Sequence, residues 1–106
     1  MPEALLVITT LPDKEAAERL AGTLIEEGLA ACVNIGAPVT SVYKWQGRIE
    51  HGTEVILTIK TTRASYPALE KAIAGGHPYE LPEVIAVPIT EALPEYLAWI
   101  EACTRS

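Results

Sequence analysis

The sequence predicts an α+β sandwich with helices on one face of a sheet. Three observations carry this. Short β-branched runs and amphipathic stretches follow one another as strand, helix, strand, strand, helix, strand, helix. Residues 53–61 alternate with period two, which splits them cleanly between two sheet faces. Asp, Ser, Gly and Pro stand where helices start and stop. Two βαβ halves around a hairpin give the split βαβ, or ferredoxin-like, order, extended by a C-terminal helix.

Residues 4–9 (Ala-Leu-Leu-Val-Ile-Thr) read as a strand covered on both faces. Pro12-Asp13 breaks the pattern, and Asp13 is placed to cap a helix. Ala17, Leu20, Ala21, Leu24 and Ile25 then recur at helical spacing opposite Lys14, Glu15, Glu18, Arg19, Glu26 and Glu27. Gly28 ends this helix. Residues 30–35 form a second strand. Gly36-Ala37-Pro38 interrupts the pattern, and residues 39–45 resume as an extended segment rich in Val, Thr and Tyr. Gln46-Gly47 reads as a turn, and residues 48–52 as a polar tip or short continuation. In the strand 53–61, Val55, Leu57, Ile59 and Thr61 share one face. Glu54, Ile56, Thr58 and Lys60 share the other.

A second helix carries Leu69, Ala72 and Ile73, with Ser65 as candidate cap and Gly75-Gly76 as stop. A stiff connector, His77-Pro78-Tyr79-Glu80-Leu81-Pro82, leads to a strand at 83–89. Pro88 assigns that strand to an edge or a bulge. Residues 90–103 close the chain with a helix whose first turn suits Pro94. Leu93, Tyr96, Leu97 and Ile100 form its expected packed stripe, with Trp99 beside it.

At 106 residues, the span 1–106 is one domain's worth. Apolar residues make up 49% of it, enough for a folded core. The net charge of −6 repels phosphate backbones and argues against a nucleic-acid partner. No apolar run approaches the ~20 residues of a membrane helix. Met1-Pro2-Glu3 lacks the basic start of a secretory leader. Two cysteines do not make a disulfide framework, so a cytoplasmic setting is expected. Cys32, in Ala30-Ala31-Cys32-Val33, reads as a small buried hydrophobe.

The extended segments spanning 39–61 are long for a four-stranded sheet over two helices. A ribbon that outgrows its sheet leaves unpaired edges, which a second copy of the chain can pair. Tyr43 and Trp45 near its tip are anchors of the type that interfaces favour.

The residues 30–35 (Ala-Ala-Cys-Val-Asn-Ile) and 41–47 (Ser-Val-Tyr-Lys-Trp-Gln-Gly) resemble the central signature of the CutA divalent-cation tolerance family. Glu54 with Ile59-Lys60-Thr61-Thr62 is similar to its next strand. His77-Pro78-Tyr79-Glu80-Leu81-Pro82-Glu83 resembles its connector, and residues 96–100 resemble its closing helix. The matches run in order from about residue 5 to about residue 100. The resemblance implies a ferredoxin-like subunit, a tight PII-like homotrimer, and a role in tolerance of divalent metals, with copper most often invoked.

Two sites follow as expectations. His77 is the candidate metal ligand, since imidazole suits copper and zinc. In the family members proposed to bind copper, a His pair precedes Pro-Tyr and a Cys ends the first strand. Here Gly76 and Thr9 stand at those positions. One imidazole cannot hold a divalent ion, so Glu80, Glu83 or another subunit would have to add oxygens. The plainer role for His77 is to order the connector. The second site is a small-ligand cleft between subunits, from Lys60 and Glu54 on the strand, Tyr79 and Glu83 on the connector, and Tyr43 and Trp45 from a neighbour. An amine, carboxylates and aromatic walls suit a small anion or zwitterion. A Lys60–Glu54 or Lys60–Glu83 ion pair fastening the trimer is the alternative. An enzyme is not expected: no phosphate-binding Gly-rich loop or nucleophile elbow is present, and His51 reads as a solvated hairpin residue.

Overall fold

The computed structural model describes residues 3–104. The elements are β1 (Ala4–Leu11), α1 (Lys14–Glu26), β2 (Cys32–Trp45), β3 (Arg48–Thr62), α2 (Tyr66–Gly76), β4 (Ile85–Pro88) and α3 (Pro94–Cys103). The strands form one sheet in the order β2-β3-β1-β4, with every pairing antiparallel. This is the split βαβ order expected from the sequence.

The alternation along β3 decides the two sheet faces. Val55, Leu57, Ile59 and Thr61 are buried, while Glu54, Ile56, Thr58 and Lys60 are half-buried on the other side. Register carries the same division into β1, where Leu5, Val7, Thr9 and Leu11 oppose Thr61, Ile59, Leu57 and Val55. Ala17, Leu20 and Leu24 of α1 and Leu69 and Ile73 of α2 complete the core on that face. α3 packs against β1 and β3, with Ile100 as its buried anchor.

The ends of α1 are set chemically. Asp13 Oδ1 accepts the Ala16 N–H at 2.8 Å, which satisfies a donor of the first turn. At the other end Gly28 has φ +70°, with Gly28 N–H donating to Ile25 O and Leu29 N–H to Leu24 O. That paired closure needs a left-handed residue, which glycine supplies at little cost. Thr61 Oγ1 donates to Leu29 O at 2.7 Å and fastens the segment after α1 to β3.

β2 and β3 form one long hairpin. Gln46 and Gly47 both have positive φ, at 51° and 80°, between the paired residues Trp45 and Arg48. A two-residue turn of this hand matches the natural twist of the strands. Pairing with β1 stops at Val55, so from there to the turn β3 pairs only with β2. The molecule measures 44 × 26 × 23 Å, elongated in keeping with this two-stranded ribbon.

Several expectations need correction. Residues 48–52 are regular strand, because each has a partner on β2. β4 is only Ile85–Pro88, and it pairs with β1 along one side as an edge strand should. Of the expected stripe on α3 only Ile100 is buried, and Leu97 is half-buried. Leu93 is 66% exposed and Tyr96 39%, since no element of this chain lies over them. Cys32 is half-buried, because its side chain lies on the face that α1 and α2 do not cover.

Leu57 is fully buried between sheet and helices. Leu57→Ala should therefore lower unfolding free energy by about 2–5 kcal/mol, read by chemical denaturation. Glu18→Ala, on the exposed side of α1, should stay within about 0.5 kcal/mol of the parent.

Candidate functional site

The interruption at Gly36-Ala37-Pro38 is a β-bulge. Ile35 pairs with Leu57 and Pro38 with Val55, so β2 advances three residues while β3 advances two. A Cβ at Gly36 would sit 3.3 Å from Ile56 O, a close approach that glycine relieves. Before the bulge the even-numbered Cys32 and Asn34 oppose Lys60 and Thr58 on the open face. Beyond it the odd-numbered Val39, Ser41, Tyr43 and Trp45 oppose Glu54, Gly52, Glu50 and Arg48. The extra residue thus brings Ser41, Tyr43 and Trp45 onto the face of Glu54.

The connector after α2 passes the base of this ribbon. His77 anchors it: Nε2 lies 2.7 Å from Thr10 O, and Nδ1 accepts the Tyr79 N–H at 3.1 Å. These partners assign the tautomer with the proton on Nε2. Between ribbon and connector lies a cavity of about 820 Å³. Tyr43, Trp45, Glu54, Tyr79, Glu80 and Glu83 contribute to its wall, and among the described residues no Lys, Arg or His does.

Glu54 is the hub. Burial is the largest single influence and pushes its carboxyl up. Hydrogen bonds from the Ser41, Tyr79 and Thr10 side chains, with nearby His77, outweigh burial and hold it below the usual range. The same contact acts oppositely on Tyr79. Burial first, then the hydrogen bond to Glu54 and the charge of Glu54, push the phenol up to about 12. Three donors on one carboxylate give an ionised Glu54 and a neutral Tyr79 at neutral pH.

Comparison with known proteins places this geometry. The family model for the CutA1 divalent ion tolerance protein matches residues 5–103. The chain belongs to the CutA family. The divalent-cation tolerance protein CutA of Thermus thermophilus is 43% identical over 99 residues, 93% of this chain and 96% of that protein. A chloroplastic CutA of Oryza sativa is 44% identical, covering 96% of this chain but 58% of that longer protein. The crystal structure of CutA1 from Oryza sativa superposes with a TM-score of 0.95, at 43% identity, covering 98% of this chain and 95% of that one. The CutA family is named for tolerance of divalent cations, not for a reaction.

Five of the six ligand residues expected from the sequence, Tyr43, Trp45, Glu54, Tyr79 and Glu83, line this cavity. Tyr43 and Trp45 reach it from their own chain. Lys60 does not line it. It sits six residues along β3 from Glu54, roughly 20 Å at strand rise, and its Nζ donates to Asn34 Oδ1. With the lysine absent, the charged lining is acidic among the described residues. His77 stands beside the cavity with both ring nitrogens engaged, and among the described residues no three His, Cys, Asp or Glu side chains are grouped to hold a metal. Ser41 and Thr10 were not legible as site residues. Ser41 has the right two-residue spacing from Tyr43, but only the bulge fixes which face that spacing serves.

The two shifted groups give opposite pH dependences. Glu54 contributes stability above the ordinary carboxylate pKa of ~4.3, lost as pH falls through its depressed folded value. Tyr79 contributes below the ordinary phenol pKa of ~10, lost as pH rises from there through about 12. Ultraviolet titration of the phenolates should show a Tyr79 step near pH 12. In Glu54→Gln that step should move to lower pH, since the neighbouring negative charge is gone.

Proposed function

We propose that this chain serves divalent-cation tolerance by reversible binding rather than catalysis, as a cytoplasmic homotrimer whose long ribbons pair between copies. The observation that carries the binding role is the cavity against the ribbon, walled by aromatic rings and by the carboxylates of Glu54, Glu80 and Glu83. A charged lining that is acidic among the described residues attracts cations, and copper or zinc is the ion class that the family's role favours. Carboxylate oxygens are hard donors, so any copper preference needs a nitrogen or sulfur ligand from elsewhere in the assembly. His77 serves chiefly to hold the connector, because a metal on either ring nitrogen would displace Thr10 O or the Tyr79 N–H.

The trimer reading is supported by the ribbon. Its unpaired edges carry exposed Val39, Val42 and Ile49, and Tyr43 and Trp45 are 47% and 39% exposed. Apolar side chains beside open strand edges suit pairing with identical chains. Two free thiols suit a reducing compartment.

A second reading, a sensor of a small metabolite in the same cavity, is favoured by its aromatic walls. The acidic lining shifts its ligand class from the anion or zwitterion expected with Lys60 to a cationic molecule.

Calorimetric titration with Cu(II) and Zn(II) tests the first reading. Glu54→Gln should weaken binding by about tenfold, roughly 1.4 kcal/mol, while His77→Ala should leave a cavity able to bind. Equal affinity in the parent, Glu54→Gln and Glu83→Gln would remove the cavity as the ion site. A thermal-shift screen of small amines on the same proteins tests the second reading, and silence in it would dismiss that reading. Sedimentation equilibrium should give three times the chain mass at micromolar concentration. A folded single copy there contradicts the ribbon-paired assembly.

A further inference from the structure

The cavity beside the ribbon is built for one kind of cation. Its carboxylate Glu54 is half-buried, whereas Glu80 and Glu83 are exposed. Ser41, Thr10 and Tyr79 each donate a hydrogen bond to Glu54, and all three line the same cavity. A carboxylate offers about four acceptor positions, which leaves about one on Glu54 for a ligand. Among the described residues no Lys, Arg or His lines the wall to balance its charge. The rings of Tyr43, Trp45 and Tyr79 stand in that wall with Pro78 and Leu81.

We propose that the cavity selects a small organic cation with a single N–H, a protonated tertiary amine on an apolar body. The proposal rests on the second reading above, that the cavity takes a cationic molecule, and narrows it to one class.

The hydrogens of the cation decide the class. Each N–H that leaves water needs a new acceptor, or its desolvation goes uncompensated. A tertiary ammonium brings one N–H, and Glu54 has one position for it. Primary ammonium and guanidinium groups bring several. Their surplus hydrogens would face rings and aliphatic carbons, or displace the hydroxyls of Ser41, Thr10 and Tyr79 from Glu54. A quaternary ammonium suits the rings but forgoes the charge-assisted hydrogen bond to the carboxylate. The alkyl groups on a tertiary nitrogen share its positive charge, and such a surface is attracted to ring faces. The volume of about 820 Å³ lies in the range of organic ligands, so room remains for an apolar body. Glu80 and Glu83, being exposed, keep their water and draw cations toward the wall. Glu54 and its three donors belong to one chain, so each copy of a trimer carries the whole recognition centre. A sister ribbon lying over Tyr43 and Trp45 would enclose the cavity further without supplying or removing any of these groups.

The test is calorimetry at neutral pH on the protein in its native assembly, with phenethylamine, N,N-dimethylphenethylamine and trimethylphenethylammonium. All are cations with the same body, and they carry three, one and no N–H. The dimethyl compound should bind about tenfold more tightly than either of the others. In Ser41→Ala a second position on Glu54 is open, so its lead over phenethylamine should shrink to about twofold or less. In Glu54→Gln the dimethyl compound should lose its lead over the trimethyl compound. Failure of all three to bind overturns this proposal together with the reading beneath it. Binding of all three with equal affinity, or tightest binding of the primary or the quaternary compound, overturns this proposal alone. So does a preference that survives unchanged in both variants. The series on the parent protein needs no substitution, so it is decisive even where a variant fails to fold.

Discussion

The architecture depends on the two-residue alternation of β3. It pairs with β1 on one side and β2 on the other, so its division of side chains is imposed on both neighbours. One set, Val55, Leu57 and Ile59, meets α1 and α2 and forms the centre of the core. The other, from Glu54 to Lys60, stays on the open face, and its Glu54 reaches the cavity wall. A slip of one residue would exchange the two sets and bury a lysine and a glutamate under the helices.

The cavity shows how a carboxylate is kept ionised in a partly enclosed place. Removing Glu54 from water disfavours its charge, and the chain answers with three donors from three separate elements: Thr10 from β1, Ser41 from β2 and Tyr79 from the connector. Those groups are far apart in sequence, so the site exists only when sheet and connector are both in place. His77 closes the arrangement by tying the connector to the backbone of β1 at Thr10 and to the Tyr79 amide. The same carboxylate holds Tyr79 in its neutral form, so donor and acceptor reinforce one another.

Much of the fold was legible because its signals are local. Asp13 before an amphipathic run, Gly28 after it, Gln46-Gly47 between two strands and the alternation of 53–61 each have a direct physical reading, and the structure uses each of them. The site was legible in composition but not in geometry. Tyr43, Trp45, Glu54, Tyr79 and Glu83 lie around one cavity of a single chain, with the two aromatics not drawn from a neighbour as the sequence suggested, and Lys60 does not join them. Sharing a strand face says nothing about position along a strand fifteen residues long. Cys32 misled for a related reason: an apolar neighbourhood in sequence was taken for burial in space, whereas the open face leaves it half-covered beside Lys60. The exposed side of α3 had no signal either, since an apolar stripe does not say whether its cover comes from the same chain.

The inserted residue at the bulge has a consequence for how this hairpin can change. Strand parity is counted from Gly36-Ala37, so the length of β2 is constrained more tightly than most of its side chains. Removing one residue there would turn Ser41, Tyr43 and Trp45 to the opposite surface and deliver Val42 and Lys44 in their place, although every strand could still pair. A point substitution adjusts the chemistry of one wall, whereas a single-codon deletion would turn the cavity wall inside out.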